Sequence, residues 1–223
     1  MNISMENYLI KVGLIGYGKW GKILNSKLET FCDVRFTCRS KDTYLDKLDD
    51  VDWVVVSTPN DTHYEIVNTC LLYGKNVFCE KPLTPTKEQS ESLFNTAKIK
   101  NVKLYVNDVQ NFRDVNCDLL ENNLIERKKK DNFNHSYYKN KDLLYRLAYH
   151  DIYYLYEYIK NSKVEHVIPI DMNNKLHFKI KFNDINIEFN YDTNYENGKL
   201  HHINGVNMIG DDELLKIDGF DNA

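Results

Sequence analysis

The chain has 223 residues, enough to bury one large core or two smaller ones. Its 33 acidic residues against 29 basic ones leave a formal charge of -4, so no overall positive field argues for nucleic acid. No apolar run approaches the roughly 18 residues that span a bilayer, and the start lacks a basic segment followed by an apolar one.

Strands and helices are expected to alternate through about residue 106. Tyr8–Ile15 reads as an apolar strand, Trp20–Leu28 as a helix, Val34–Cys38 as a short strand and Val51–Ser57 as a β-branched strand covered on both faces. Thr62–Tyr73 reads as a helix ended by Gly74, then Asn76–Cys79 as a strand, Lys87–Lys100 as a helix and Lys103–Val106 as a strand. Such alternation implies right-handed crossovers and a parallel sheet. The crossover from Cys38 to Val51 is too short for a full helix-containing connection, which trims that edge.

Beyond this the pattern changes. The run Arg127-Lys128-Lys129-Lys130 reads as a solvated loop or strand edge, not a phosphate patch. A helix over about Asp142–Lys160 has Leu144, Leu147, Ala148, Ile152, Leu155 and Ile159 as its buried stripe. Val164–Ile170, Lys175–Phe182, Ile185–Tyr191, Leu200–Met208 and Glu213–Ile217 read as strands, with a tight hairpin at Phe182-Asn183-Asp184-Ile185. The expectation is an α/β chain of two parts: a parallel-sheet domain over 1–110 and a small α+β domain over 111–223, one helix with an open antiparallel sheet. Five scattered cysteines, Cys32, Cys38, Cys70, Cys79 and Cys117, never spaced Cys-x-x-Cys, predict reduced thiols, no zinc site and no disulfide framework. With no leader and no membrane span, a soluble cytoplasmic protein is expected.

Gly16-Tyr17-Gly18-Lys19-Trp20-Gly21 follows a predicted strand and opens a predicted helix, the context in which Gly-x-Gly-x-x-Gly binds a dinucleotide. Gly16 permits the tight turn, Gly18 lets backbone N–H groups approach a pyrophosphate, and Gly21 allows helix and strand to pack closely. The helix N-terminus adds partial positive charge. At the end of the second strand, Cys38-Arg39-Ser40-Lys41 offers no carboxylate for a ribose 2′-OH until Asp42. Arg39 suits a 2′-phosphate, with Ser40 and Lys41 as further donors, so NADP(H) is expected over NAD(H), with NAD still possible.

These residues, with Ser57-Thr58-Pro59-Asn60-Asp61-Thr62-His63 and Glu80-Lys81-Pro82, resemble the glucose-fructose oxidoreductase / inositol dehydrogenase / rhizopine catabolism (Gfo/Idh/MocA) family over residues 8 to about 113. The resemblance implies a Rossmann domain, then a domain whose open sheet often makes a dimer interface, and hydride transfer with sugars, cyclitols or sugar nucleotides. It implies that Ser57, Thr58, Pro59, Asn60 and His63 line the nicotinamide side, and that Glu80 and Lys81 lie by the reacting carbon. His63 could equally serve only the first turn of its helix. Lys81 is the expected proton donor or acceptor, and His150 matches the family's histidine and assists it. Four residues earlier, where the family has aspartate, stands Arg146, a fixed cation suited to an anionic or polarised substrate group. Arg113 is an out-of-register candidate for a further substrate contact. Among the tyrosines around this helix, expected to pack or meet a second subunit, Tyr149 is the candidate proton donor. Phe178, Ile180, Phe182, Ile187, Phe189 and Tyr191 are expected to form an apolar outer face through which the sheet makes a homodimer. The other partner expected is the small-molecule substrate, with neither nucleic acid nor membrane. The competing expectation is a protein of this fold that has lost turnover and serves as a dinucleotide-binding sensor or complex subunit.

Overall fold

A computed structural model of the chain describes residues 9–39, 41–107, 120–130, 148–159, 166–169, 175–182, 185–192, 194–204 and 206–207. The chain divides into two compact units, Met1–Asp108 and Val109–Ala223. No helix among the described residues is long and apolar enough to cross a membrane.

In the first unit β1 (Lys11–Ile15), α1 (Lys19–Leu28), β2 (Asp33–Cys38), β3 (Trp53–Val56), α2 (His63–Leu72), β4 (Asn76–Cys79), α3 (Lys87–Lys100) and β5 (Leu104–Val106) follow in order. The five strands make one parallel sheet in the order β2-β1-β3-β4-β5. Among the described residues, the short connection from β2 to β3 holds a 3-10 helix at Leu45–Asp50, where Leu48 is buried, and no α-helix. One core packs Ile15, Val54, Val56 and Val77 with Ile66, Val67 and Leu71 of α2 and Leu93 and Ala97 of α3. A second gathers Val12, Leu14, Cys32 and Val55, with Leu24 and Leu28 of α1 packed against them. Both cores draw on β1 and β3, so these strands have apolar side chains to either side, as their unbroken β-branched runs require.

Local chemistry sets the ends of α3. The Thr86 hydroxyl accepts a hydrogen bond from the Gln89 N–H at 3.3 Å, as the Thr-x-x-Gln spacing favours, a cap worth about 1 kcal/mol. Asn101 closes the helix in the left-handed region, φ 54°, with Lys98 and Lys100 in the last turn. Burial raises the thiol of Cys70 to about 12 and that of Cys79 well above its ordinary value, so neither is a reactive thiolate.

In the second unit β6 (Asn122–Lys130), α4 (Tyr149–Ile159), β7 (His166–Pro169), β8 (Lys175–Phe182), β9 (Ile185–Asp192), β10 (Asn194–Ile203) and β11 (Val206–Asn207) are described. The sheet order is β11-β10-β6-β9-β8-β7. Four neighbouring pairs are antiparallel, but β6 and β9 run parallel, so the sheet is mixed rather than purely antiparallel. The backbone of Arg127–Lys130 lies in β6 rather than in a loop: Arg127 and Lys128 pair with β10 and β9, and Lys129 and Lys130 pair with β10. Phe182 pairs with Ile185, which leaves two residues to join β8 to β9. The expected strand Glu213–Ile217 and the helix residues before Ala148 lie outside the described residues.

Phe178, Ile180, Ile187, Phe189 and Tyr191 do not form an outer face. All are buried in one core with Ile125 and with Ala148 and Leu155, Ile152 packing against it. The rings of Phe178 and Phe189 stack with centroids 4.4 Å apart. The helix supplies the cover that the sequence reading assigned to a second subunit. Along β8 and β9 the alternate residues point the other way, and there His177 and Lys179 sit 2.5 Å and 2.8 Å from Glu188. Lys179, then His177, hold the Glu188 carboxyl below its usual range.

Asp151, 1% exposed, lies on the covered face of α4 and accepts a hydrogen bond at 2.8 Å from the hydroxyl of fully buried Tyr191. Tyr191→Phe withdraws that donor from a buried carboxylate and should cost about 1–3 kcal/mol in urea unfolding. A shift below about 0.5 kcal/mol would mean that this bond does not hold α4 to the sheet.

Candidate cofactor and catalytic site

The first unit places most of the expected site residues along one edge, the C-terminal ends of its parallel strands. There β1 has β2 on one side and β3 on the other, the switch point at which open α/β sheets form their ligand crevice. The strand ends are tied together. Gly16 N–H and Tyr17 N–H donate to the Cys38 carbonyl at 2.8 Å and 3.1 Å, Ser57 N–H donates to Ile15 O at 2.8 Å, and Ser57 Oγ donates to Gly16 O at 2.8 Å.

The three glycines of the turn have different physical roles. Gly16 has φ 111°, and a Cβ there would stand 2.4 Å from the backbone of Ser57. A Cβ on Gly21 would stand 1.9 Å from the Gly16 carbonyl oxygen, so only glycine lets α1 lie this close to β1. A Cβ on Gly18 would meet nothing within 4 Å, which leaves that side of the turn open to an approaching group. Gly18 is also the N-cap of α1; no side chain caps this end and no acidic residue stands in its first turn. An uncapped helix start beside an open glycine fits the pyrophosphate of a dinucleotide, because its N–H groups lack acceptors and carry partial positive charge.

Lys19 and Trp20 are exposed at this turn, and Arg39 is exposed at the end of β2. Asp42 folds back there, its Oδ2 accepting from the Arg39 N–H at 2.7 Å, so a carboxylate does stand near the ribose end. Its contact is with backbone, which leaves the Arg39 guanidinium for other partners. Ser40 lies outside the described residues.

The loop after β3 divides. Ser57, Pro59 and Asn60 are half-buried, whereas Thr58 is 5% exposed and His63 is fully buried. His63 does not line an open cleft. Its Nδ1 lies 2.8 Å from Pro82 O and its Nε2 2.9 Å from Thr58 O, so the ring braces one loop against the other.

Glu80 follows β4, and its own N–H donates to Val56 O at 2.8 Å. Its Oε1 accepts from the Trp20 indole N–H at 2.5 Å and from the Asn107 side-chain amide at 2.6 Å. Half-buried Lys81 comes next, its backbone N–H 3.3 Å from Glu80 Oε2. Asn107 and Asp151 join the residues expected from the sequence. Asn107 was findable: it directly follows β5, at the same end of the sheet as the rest.

In the second unit His150 is 7% exposed and lies edge-on to Tyr149, ring centroids 5.9 Å apart, so the histidine is buried rather than presented at a surface. Half-buried Tyr149 stacks on Tyr153 at 6.3 Å. Arg113 and Arg146 lie outside the described residues.

Residues 23–108 match the oxidoreductase family with an NAD-binding Rossmann fold, Gfo/Idh/MocA. That match takes in most of the N-terminal unit, which resembles the family over this stretch. An oxidoreductase of Schizosaccharomyces pombe is 46% identical over 67 residues, 29% of this chain and 18% of its own. The scyllo-inositol 2-dehydrogenase (NADP(+)) of Bacillus subtilis is 33% identical over 116 residues, 44% of this chain and 32% of its own. The matched stretches thus span less than a third of the length of these relatives. Among solved structures, UDP-N-acetylglucosamine 3-dehydrogenase from Acidithiobacillus ferrooxidans superposes with a TM-score of 0.74 over 87% of this chain and 73% of that one, at 16% identity. That likeness extends the shared fold beyond the N-terminal unit.

Proposed function

We propose that the protein is an NADP(H)-dependent oxidoreductase that passes hydride to or from a carbonyl or hydroxyl carbon of a small polar substrate. The first unit would serve the dinucleotide and the second the substrate. One observation carries this reading: the glycine turn, the Ser57–Asn60 loop and Glu80-Lys81 converge on one edge of the parallel sheet, where an open α/β fold binds its ligand. The substrate class, a sugar, cyclitol or sugar nucleotide, follows the names of the Bacillus and Acidithiobacillus proteins.

The Gly16–Gly21 turn and the start of α1 would hold the pyrophosphate, Arg39 with Ser40 and Lys41 the 2′-phosphate, and Ser57, Pro59 and Asn60 the nicotinamide end. A bound nicotinamide supplies the hydride. The chain supplies the proton: the Lys81 ammonium donates to the carbonyl oxygen as it becomes a hydroxyl, and the amine takes that proton back in the oxidising direction. His150 would orient or relay, and Arg146, Arg113 and Tyr149 would contact substrate. A homodimer through the second sheet would have to use its charged outer face.

Arg39→Asp tests the cofactor assignment. Loss of a charge-assisted phosphate pair costs roughly 1.5–3 kcal/mol, so the preference for NADP(H) should vanish or reverse. Asp42→Asn removes a negative charge near the same group and should tighten NADP(H) binding, more at low salt than at high. Equal titration curves for NADPH and NADH with the unmodified protein would remove the assignment.

A second reading, dinucleotide binding without turnover, draws on Arg146 in place of the family's aspartate and on Asp151, the nearest carboxylate to His150 in the helix, being engaged by Tyr191. Turnover of any of inositols, keto sugars or sugar nucleotides with NADP(H) would decide for the enzyme.

A further inference from the structure

Trp20 and Glu80 are sixty residues apart in sequence and two strands apart in the sheet. Trp20 stands in the first turn of α1, just after β1; Glu80 directly follows β4; β3 lies between β1 and β4. The indole, 40% exposed, nevertheless donates a 2.5 Å hydrogen bond to Glu80 Oε1. The same oxygen accepts from Asn107, just after β5, 2.6 Å away. Two donors from separate elements thus decide which way this carboxylate faces, and its other oxygen lies 3.3 Å from the Lys81 N–H. At the far side of the Lys81-Pro82 dipeptide the Pro82 carbonyl meets the buried His63 ring at 2.8 Å. The backbone that carries the Lys81 side chain is therefore held from both sides. One of its two holds originates in the turn that would receive the dinucleotide.

We propose that Trp20 and Asn107 are positioning residues for Lys81, and that the Trp20–Glu80 bond couples the dinucleotide-binding turn to the lysine. The inference rests on the reading of Lys81 as the proton-transferring group. A group bound at the start of α1 acts on the backbone that carries Trp20; the indole passes any adjustment to Glu80, and Glu80 to the Lys81 amide. A hydrogen bond to a charged acceptor is strong enough to transmit this, since charged pairs are roughly twice as strong as neutral ones.

The chain has two tryptophans, Trp20 and Trp53, so Trp53→Phe leaves Trp20 as the sole indole emitter. In that protein the emission should change saturably as NADP+ is added. Glu80→Ala in the same background should shift the emission of the cofactor-free protein and abolish the response to NADP+ at concentrations that calorimetry shows to saturate the variant. By hydrogen exchange the Lys81 amide should open about tenfold more often in Glu80→Ala and in Asn107→Ala. Glu80→Gln, which keeps a carbonyl oxygen as acceptor, should restore both readouts in large part. Emission and Lys81 exchange unmoved by Glu80→Ala would overturn the proposal. Lys81→Ala should leave the Trp20 response intact. If that variant turned over normally, the catalytic reading of Lys81 would fail while the coupling stood.

Discussion

Lys81→Ala should lower kcat by roughly 10²–10⁴, the usual worth of a positioned acid or base, while NADP(H) affinity stays close to that of the unmodified protein. The expectation follows from where the lysine stands. It directly follows the Glu80 carboxylate that Trp20 and Asn107 fix, at the C-terminal end of β4, and its peptide neighbour is braced by His63. The pyrophosphate-binding turn belongs to β1 and α1 and should not feel the loss of the ammonium. Lys81→Arg keeps the charge but removes the ability to give up a proton at ordinary pH, so it should be as impaired as the alanine variant. A Lys81→Ala protein with an unchanged kcat would assign proton transfer to another group. His150→Ala should cost less, because a buried histidine in the second unit can orient or relay without being the donor.

Gly21→Ala should damage the fold and the cofactor site together. The added methyl would stand 1.9 Å from the Gly16 carbonyl oxygen and 3.0 Å from Ser57 Oγ, and the first obstacle is backbone that cannot rotate away. Helix α1 would have to leave β1, breaking the bond from Ser57 Oγ to Gly16 O. Overpacking of this kind typically costs 1–3 kcal/mol, so about 3 kcal/mol and a loss of dinucleotide binding of at least about tenfold are expected. Gly18→Ala makes the contrast. Its methyl meets nothing in the protein, so thermal unfolding should be little changed, yet it occupies the side from which a phosphate would approach and affinity should fall. Equal loss of stability in both variants would contradict this division of roles.

Where the sequence pattern and the local chemistry agree, the elements were legible. Asn76–Cys79, Lys87–Lys100 and Lys175–Phe182 have the bounds that periodicity and turn residues imply. Strand β6 was not legible. Asn122–Lys130 carries only Leu124 and Ile125 as apolar residues, and it is a strand because β9 and β10 pair with it across long sequence separations. The alternation in β8 and β9 shows which residues share a face, but it cannot show what covers that face. Assigning Phe178, Phe189 and Tyr191 to a subunit interface was wrong because Ala148, Ile152 and Leu155 pack there. The histidine of Thr-Pro-Asn-x-x-His shows the same limit: the family resemblance implied a place by the nicotinamide, with a role in the first turn of the helix equally open, while its burial between two carbonyl oxygens makes it a brace. The contacts of Asp42 with the Arg39 N–H and of Asn107 with Glu80 depend on how the strand ends meet, which sequence spacing does not show.

If this edge serves hydride transfer, it must bind a nicotinamide dinucleotide. Titration calorimetry of NADPH and NADH into the full chain tests it most directly, followed by the decay of reduced-nicotinamide absorbance on addition of inosose, keto-sugar and sugar-nucleotide substrates. One saturable site that prefers NADPH is expected, weakened in Gly18→Ala, with substrate-dependent oxidation of the bound NADPH. No binding of either dinucleotide at millimolar concentration, or binding that Gly18→Ala leaves untouched, would contradict it.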